Sequence, residues 1–428
     1  MRAPRPADTV MQEFFGGRRY LGARDRRVIA GMVFDVLRQF TYLRTIASDA
    51  FVRAAGEPGT PTRALALLLV HALVVSKEEI PLIQEGFGAL WRTFMRSPPL
   101  EAAIPAVRQA HECLIIPGDP VGRLSLLHSC PTSVVRDWVT RFGEAEAEQL
   151  CIASNSPPPV ALRVNTLRCT VEECRAALAA EGVEAAPSKL SPSGLILTKR
   201  MHAAGLRTFR MGWFEMQDEG SQLLSLLVEP RPGETIVDAC AGAGGKTLHM
   251  ASLMENRGRI LALDVSRKRL ESLRERAVRA GVTIAFAALP GGAEVRELAG
   301  RADTVLIDAP CSGTGTFRRN PGAKAMYNES ALVGLLATQR RLLDESAGLV
   351  RPGGTLVYTT CSLLHCENGE QAERFLSSHA DFHLASAPEI LQNKGVRIAS
   401  ASLTIELLPH VTGTDGFFAA VMRRAESD

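Results

Sequence analysis

No two of the nine cysteines, at positions 113, 130, 151, 169, 174, 240, 311, 361 and 366, stand in a C-x-x-C pair. The sequence therefore lacks the spacing that zinc sites use, and no metal is expected. Long apolar runs are missing too. The longest, Ala64 to Val75, is interrupted by His71 and falls far short of the roughly 20 residues that cross a bilayer. It reads as a core helix, and no membrane association is expected. There is no secretory leader pattern at the Met1 end, and an odd number of cysteines is spread through a long chain, so a reducing, cytoplasmic setting is expected. No internal repeat is found. The formal charge is only +3, so any strongly basic surface must be local. Residues 1–53 carry ten Arg against five acidic residues, and arginines recur at Arg318, Arg319, Arg340 and Arg341. Such stretches fit a polyanionic partner, although runs of charge more often mark a solvated face.

What is present is globular. At 428 residues, 46% hydrophobic and 22% charged, the chain should form two or three domains. From Thr9 to about Leu150 apolar residues recur three and four apart, which predicts an all-α module of five to seven helices. Gly56 to Pro61 and Pro98 to Pro105 punctuate it. His71 and His111 read as satisfied or surface histidines. The prolines of Ser154 to Pro159 end the helical part with a stiff connector. Val160 to Leu167, a helix from about Thr170 to Glu181, and Gly194 to Lys199 give strand, helix, strand. Beyond Gly212, strands TIVDAC, ILALD, TIAFAAL, TVLID and TLVYTT alternate with helices, including a long one near Ser330 to Leu349. This pattern predicts a doubly wound parallel sheet with right-handed crossovers. The tail, Ser402 to Arg424, has two strand-like runs joined by GTDG and is expected to add an antiparallel edge. Domains are accordingly expected at 1–153, 160–211 and 212–428.

Two apolar runs in the last domain, Val305 to Asp308 and Thr355 to Thr360, each deliver a cysteine to a turn, Cys311 and Cys361. Ligands collect at the carboxyl ends of such strands, so the two thiols should face one crevice. Upstream, Glu234 to Thr247 is a strand, a glycine-rich turn and a helix. It is not a P-loop, because Cys240 stands where the first glycine must be. It is not a dinucleotide fingerprint either, because the third glycine position falls on Thr247. An adenosine ligand without phosphate remains: glycines let backbone come close, and Asp264, 26 residues after Asp238, suits the ribose hydroxyls. S-adenosylmethionine meets that description. The competing reading is that Asp264 merely caps the following helix. Inert burial is the default for any one cysteine, but two at neighbouring strand ends argue for chemistry.

At these residues the chain resembles the Sun/RsmB family of RNA cytosine-5 methyltransferases. The resemblance is carried by DACAGAGGKT, ALDVSRKRL, VLIDAPCSGTG with RRNPGAK, GGTLVYTTCS with ENGEQ, and LLPHVTGTDGFF, over residues 212–423. Gly22 to Arg38 is similar to the NusB-like RNA-binding domain of RsmB-type members, and LLHSCPTSVVRDW and LRVNTL to their linker. The resemblance implies an N-terminal all-α NusB-like bundle, a small α+β linker module and a C-terminal α/β doubly wound, Rossmann-like methyltransferase domain. It implies S-adenosyl-L-methionine as cofactor and methylation of carbon 5 of a cytosine in RNA through a cysteine adduct at carbon 6. Small-subunit ribosomal RNA is favoured; transfer RNA, and a non-catalytic RNA-binding or ribosome assembly factor, are the alternatives, and a monomer is expected.

The chemistry agrees with this. Carbon 5 is a poor nucleophile until a thiolate adds at carbon 6 and makes the ring an enamine. Afterwards the carbon 5 proton and the thiol must both leave, which gives a second group work to do. The residues alone do not order the cysteines: Pro310-Cys311 resembles the nucleophile dipeptide of DNA cytosine methyltransferases, and Thr360-Cys361 the RNA enzymes' counterpart. The resemblance assigns Cys361 as nucleophile and Cys311 to product release. It also implies that Asp308 bonds the cytosine amino edge and borders the methyl donor, and that Lys246 lies near the base. Cofactor contacts are expected from Cys240, Ala241, Gly242, Ala243, Gly244, Gly245, Lys246, Asp264, Arg269 and Asp308.

The chain departs from the family in three places. The usual C-A-A-P-G-G-K turn has Ala243 in place of proline, so a looser cofactor loop is expected. The acid expected after the third strand, near Ala288 or Leu289, is missing, which implies weaker cofactor binding or a substitute. His365-Cys366 replaces the usual Pro-Glu, and both are expected to be incidental neighbours. The RRNP cations are expected beside the catalytic crevice, holding phosphates around a base flipped from a loop or single strand.

Overall fold

The computed structural model describes residues 7–55, 60–95, 98–199, 201 and 203–426. The chain divides into two compact units, Met1–Ser156 with Phe317–Tyr327, and Pro157–Thr316 with Asn328–Asp428. Among the described residues no helix is long and apolar enough to cross a membrane.

The first unit is helical. Nine α-helices run between Ala7 and Asn155 among the described residues, more than the five to seven expected. The excess comes from its last third, where tight connections cut one apolar pattern into Pro120–His128, Thr132–Phe142 and Glu144–Asn155. The Asp119 side chain caps the first of these, accepting from Gly122 N at 2.8 Å, and Gly143, at φ +82°, separates the last two. Pro105 does not mark a break as expected. It lies inside the helix Leu100–Glu112, whose buried face of Leu100, Ala103, Ile104, Val107 and Ala110 outweighs one lost backbone bond. The Ala64 to Val75 run is helical as expected, but Thr60–Val70 gives way to a single π turn over His71–Val75. Of the Gly56 to Pro61 punctuation, residues 56–59 lie outside the described residues. His111 Nε2 meets the Tyr42 hydroxyl at 3.0 Å and His71 Nδ1 meets Ser76 Oγ at 3.3 Å, so both histidines are satisfied. Leu43, Ile46, Leu69, Ile83, Trp91 and Val107 form the core.

The RRNPGAK stretch corrects the expectation for one of the two RRNP cations. Lys324 is buried and donates to the carbonyls of Arg38 (2.6 Å) and His128 (2.9 Å) and to Asn155 Oδ1 (2.5 Å). Arg318 is buried as well. Lys324 knits the segment to the helices, and neither it nor Arg318 is offered to phosphates, whereas Arg319 is exposed.

The second unit holds two sheets. The smaller contains β1 (Val160–Val164), β2 (Ala185–Pro187), β3 (Gly194–Leu197) and β4 (Phe214–Met216) in the antiparallel order β2-β3-β1-β4. Its helix Val171–Ala180 opens on a Thr170/Glu173 capping box. The larger contains β5 (Thr235–Asp238), β6 (Arg259–Leu263), β7 (Ala285–Ala288), β8 (Ala302–Asp308), β9 (Val350–Thr360), β10 (Phe382–Ala385), β11 (Ile405–Leu407) and β12 (Phe417–Arg424). Its order is β10-β12-β9-β8-β5-β6-β7, with β11 also on β12. Pairs among β5 to β9 are parallel, while β12 runs antiparallel to its neighbours. The tail is thus antiparallel as expected, but β12 is interior and not an edge. Ala419 to Met422 are fully buried, and a continuous apolar run of that kind needs cover on both faces. Chain order reverses between β5 and β8, the switch point where such sheets bind ligands.

Candidate active site

β8 and β9 are adjacent and in register, Asp308 beside Thr359, so the turns that follow them lie together. Cys311 Sγ and Cys361 Sγ come within 3.3 Å, both half-buried. Backbone packing explains the glycines around them. Gly315 N donates to Cys361 O at 3.0 Å, and Gly416 N donates to Gly315 O at 2.8 Å. A Cβ on Gly315 would sit 2.2 Å from Gly416 O, so this approach admits no side chain. The sequence singled out SGTG and TGTDG separately; the fold makes them one contact. The Cys311 thiol is held well above its ordinary range by its hydrogen bond to Cys361, then by burial and by the Glu367 carboxylate.

Lys246 Nζ donates to Asp308 Oδ2 at 2.5 Å, and Thr359 Oγ1 donates to Asp308 Oδ1 at 3.2 Å. Burial works against the Lys246 ammonium, but Asp308, Asp238 and Cys361 outweigh it and raise the lysine above its usual value. Asp238 accepts from Thr247 Oγ1 at 2.7 Å, and burial raises its carboxyl to about 6. Cys240 is pushed up to about 12 by burial and by the Asp238, Asp308 and Asp264 carboxylates, which makes it an inert wall. His365 and Cys366 lie in a short 3-10 turn, where the Cys366 carbonyl accepts from Gln371 at 2.7 Å.

A cavity of about 560 Å³ lies at the switch point, and every cofactor residue expected from the sequence lines it except Gly244. Gly244, at φ +86°, instead caps the helix Gly245–Leu253, and a Cβ there would come 2.7 Å from Leu273. Asp264 Oδ2 accepts from Gly242 N at 3.1 Å and Oδ1 from Ser266 N at 2.7 Å. The helix cap is Ser266, so the reading of Asp264 as a mere cap is not what the fold shows. Arg269 approaches Asp264 at 3.6 Å.

Other contributors had no role assigned to them from the sequence. Arg276 donates to the Ala243 carbonyl at 2.7 Å and Arg163 to the Gly245 carbonyl at 3.1 Å. Buried Glu215 receives both Arg276, at 3.0 Å, and Arg279. The glycine turn expected to be loose is therefore tied down by two arginines. After β7, where an acid was sought, Pro290 and Gly291 face the cavity; Glu345, paired to Arg341 at 3.2 Å, lines it from the helix Leu332–Ala347. Only the i, i+4 spacing of Arg341 and Glu345 signals this pair beforehand.

The lining fits an adenosine sulfonium. A Cβ on Gly242 or Gly245 would meet nothing within 4 Å, so the turn leaves open space at the cavity. The lining cations Lys246, Arg269 and Arg341 each face a carboxylate, Asp308, Asp264 and Glu345, and Asp238 adds a further acid. That balance suits a cationic ligand better than a phosphate. Among the described residues no cluster of His, Cys, Asp and Glu is placed to hold a metal ion.

Residues 225–423 match the family described as 16S rRNA methyltransferase RsmB/F, and residues 130–204 match the ferredoxin-like domain of RsmF/B-like methyltransferases. A probable ribosomal RNA small subunit methyltransferase B of Bacillus subtilis is 36% identical over 308 residues, 72% of this chain and 69% of that one. Its counterpart in Synechocystis is 37% identical over 305 residues, 70% and 67%. The crystal structure of PH0851 superposes with a TM-score of 0.79 at 26% identity, covering 98% of this chain and 95% of that one. A methyltransferase homolog from Pyrococcus horikoshii gives 0.60 at 28% identity, covering 72% and 98%. Likeness of this extent, running through every motif of the larger sheet, places the chain in the RsmB/F family of S-adenosylmethionine-dependent methyltransferases.

Proposed function

We propose that this protein methylates carbon 5 of a cytosine in RNA, small-subunit ribosomal RNA being the favoured substrate, through a covalent adduct between Cys361 and carbon 6. The observation that carries this reading is the approach of two cysteine sulfurs to 3.3 Å beside the Lys246–Asp308 pair. The relatives named as ribosomal RNA small subunit methyltransferases support the choice of RNA.

When bound, S-adenosylmethionine supplies an electrophilic methyl group on its sulfonium. Asp264 and the Gly242 to Gly245 turn hold the adenosine, with Arg269 at the rim. Asp308, fixed by Lys246 and Thr359, accepts from the cytosine amino group. The Cys361 thiolate adds to carbon 6, and carbon 5, now an enamine carbon, takes the methyl group. A Cys311 thiolate then removes the carbon 5 proton. The C–H electron pair re-forms the 5,6 double bond, and the carbon 6–sulfur pair returns to Cys361. The order of these steps has a physical cause. Cys361 is the largest influence that raises Cys311, and it is lost once Cys361 is alkylated, so Cys311 gives up its proton more readily after the adduct forms than before. The helical residues 1–153 serve as a NusB-like RNA-binding domain and 160–211 as a linker module, with catalysis in 212–428.

Tritium transfer from labelled S-adenosylmethionine to total RNA tests the reading, with label expected in small-subunit ribosomal RNA. Label confined to transfer RNA would move the substrate, and no label in any RNA would favour the non-catalytic factor that the missing acid after β7 suggests. Cys311→Ala should accumulate a protein–RNA adduct on a denaturing gel, and Cys361→Ala should form none and be inactive. The opposite pattern reverses the two roles.

A further inference from the structure

Glu367 is fully buried, and its partners are neutral. Its carboxylate accepts from Ser312 N at 2.8 Å, from Ser312 Oγ, and from Gln339 Nε2 at 3.0 Å. The same Gln339 amide donates to Pro310 O at 3.0 Å, so the residues on both sides of Cys311 are tied to one carboxylate. The Tyr358 hydroxyl donates to the Glu367 carbonyl at 2.7 Å and holds it against the sheet. A buried carboxylate facing only neutral donors is an expensive way to stabilise a fold. Its position is better explained by what it holds.

Glu367 binds the Cys311 turn directly and reaches the Cys361 turn only at second hand, through Ser312 Oγ, which lies 3.2 Å from Ser362 Oγ. The turn carrying Cys361 has its own ties: Asn368 accepts from Thr360 Oγ1 at 2.6 Å and donates to Ser362 O at 2.9 Å. We infer that Glu367 is a positioning residue for product release, which fixes the Pro310 to Ser312 turn and with it the Cys311 sulfur, and takes no part in the attack by Cys361. The inference rests on the two-cysteine reading above. The charge of Glu367 by itself opposes that role, since it adds to the influences that keep the proton on Cys311, so its proposed contribution is the placement of the sulfur; Cys361 and Tyr358 also interact with that thiol.

The test separates adduct formation from release. In RNA carrying 5-fluorocytosine, fluorine replaces the carbon 5 proton, so the adduct forms and cannot be released. On the RNA that accepts tritium label, Glu367→Gln should trap on the fluorinated transcript at nearly the wild-type rate. On ordinary cytosine its turnover should fall about tenfold to a hundredfold, and the adduct should accumulate. Ser312→Ala keeps the backbone donor and loses only the hydroxyl. It should shift release in the same direction by about threefold to tenfold, which preserves the test if Glu367→Gln fails to fold. Wild-type turnover in both variants overturns the inference, and so does an equal loss of trapping and turnover, which marks a general structural role. If wild-type protein labels RNA but traps on no fluorinated transcript, the covalent reading falls and this inference with it.

Discussion

Asp238 is fully buried at the end of β5, and its carboxyl is raised from 3.8 to about 6. Between those values the folded state binds more protons than the unfolded one, so stability falls as pH rises from about 4 to about 6 and stays reduced above. At neutral pH the cost is on the order of 3 kcal/mol. Asp238→Asn keeps an acceptor for Thr247 and should flatten that slope. Unfolding in urea without cofactor should show the variant gaining about 1–3 kcal/mol at pH 8 and almost nothing at pH 4; an unchanged slope would mean that the carboxylate carries no such cost. Asp308→Asn has the opposite sign. It strips the anion from buried Lys246, so methyl transfer should fall about a hundredfold and stability by about 1–3 kcal/mol. The residues that carry the proposed chemistry were legible because they stand in turns, where Pro, Gly and Ser set them apart. Glu367 and Arg163 stand in the ENGEQ and LRVNTL motifs but had no role there, and Arg276 stands in none, because a charged letter in a sequence does not say whether folding will bury it or what it will bind.

Elements were legible in proportion to the regularity of their pattern. The βα alternation fixed the parallel part of the large sheet, whereas β2 and β4, of three residues each, are too short to show a period. The tail was read as an edge because antiparallel hairpins usually lie there; the burial of Ala419 to Met422 puts β12 between β9 and β10. Two predictions belong to this scale. Gly315→Ala must push Gly416 away from a Cβ at 2.2 Å, so denaturant melts should lose about 2–4 kcal/mol and adduct formation should drop with them. Arg276→Ala frees the Ala243 carbonyl, and titration calorimetry should show S-adenosylmethionine binding about tenfold more weakly. Unchanged affinity would mean that the glycine turn keeps its shape without the arginine.

At the scale of the whole molecule, RNA binding is the property that the composition leaves most open, since the formal charge is only +3. If local basic surfaces contact phosphates, the logarithm of affinity should fall against the logarithm of salt with a slope of about −3 to −5, and a flat dependence would remove them from the interface. Residues 317–327 belong to the helical unit although they follow the Cys311 turn in sequence. Lys324→Met would leave three acceptors without their shared donor, and thermal melts of the full chain should register a loss of about 2–4 kcal/mol. The sequence by itself determined the helical beginning, the parallel sheet, the non-phosphate glycine turn and the two strand-end thiols, because periodicity and turn chemistry act between near neighbours. Tertiary structure alone decided that the sulfurs meet, that Arg318 and Lys324 are buried, that Glu367 is bonded to the Cys311 turn, and that Arg163 and Arg276 hold the glycine turn. Those outcomes depend on contacts between residues far apart in the chain, which no local pattern encodes.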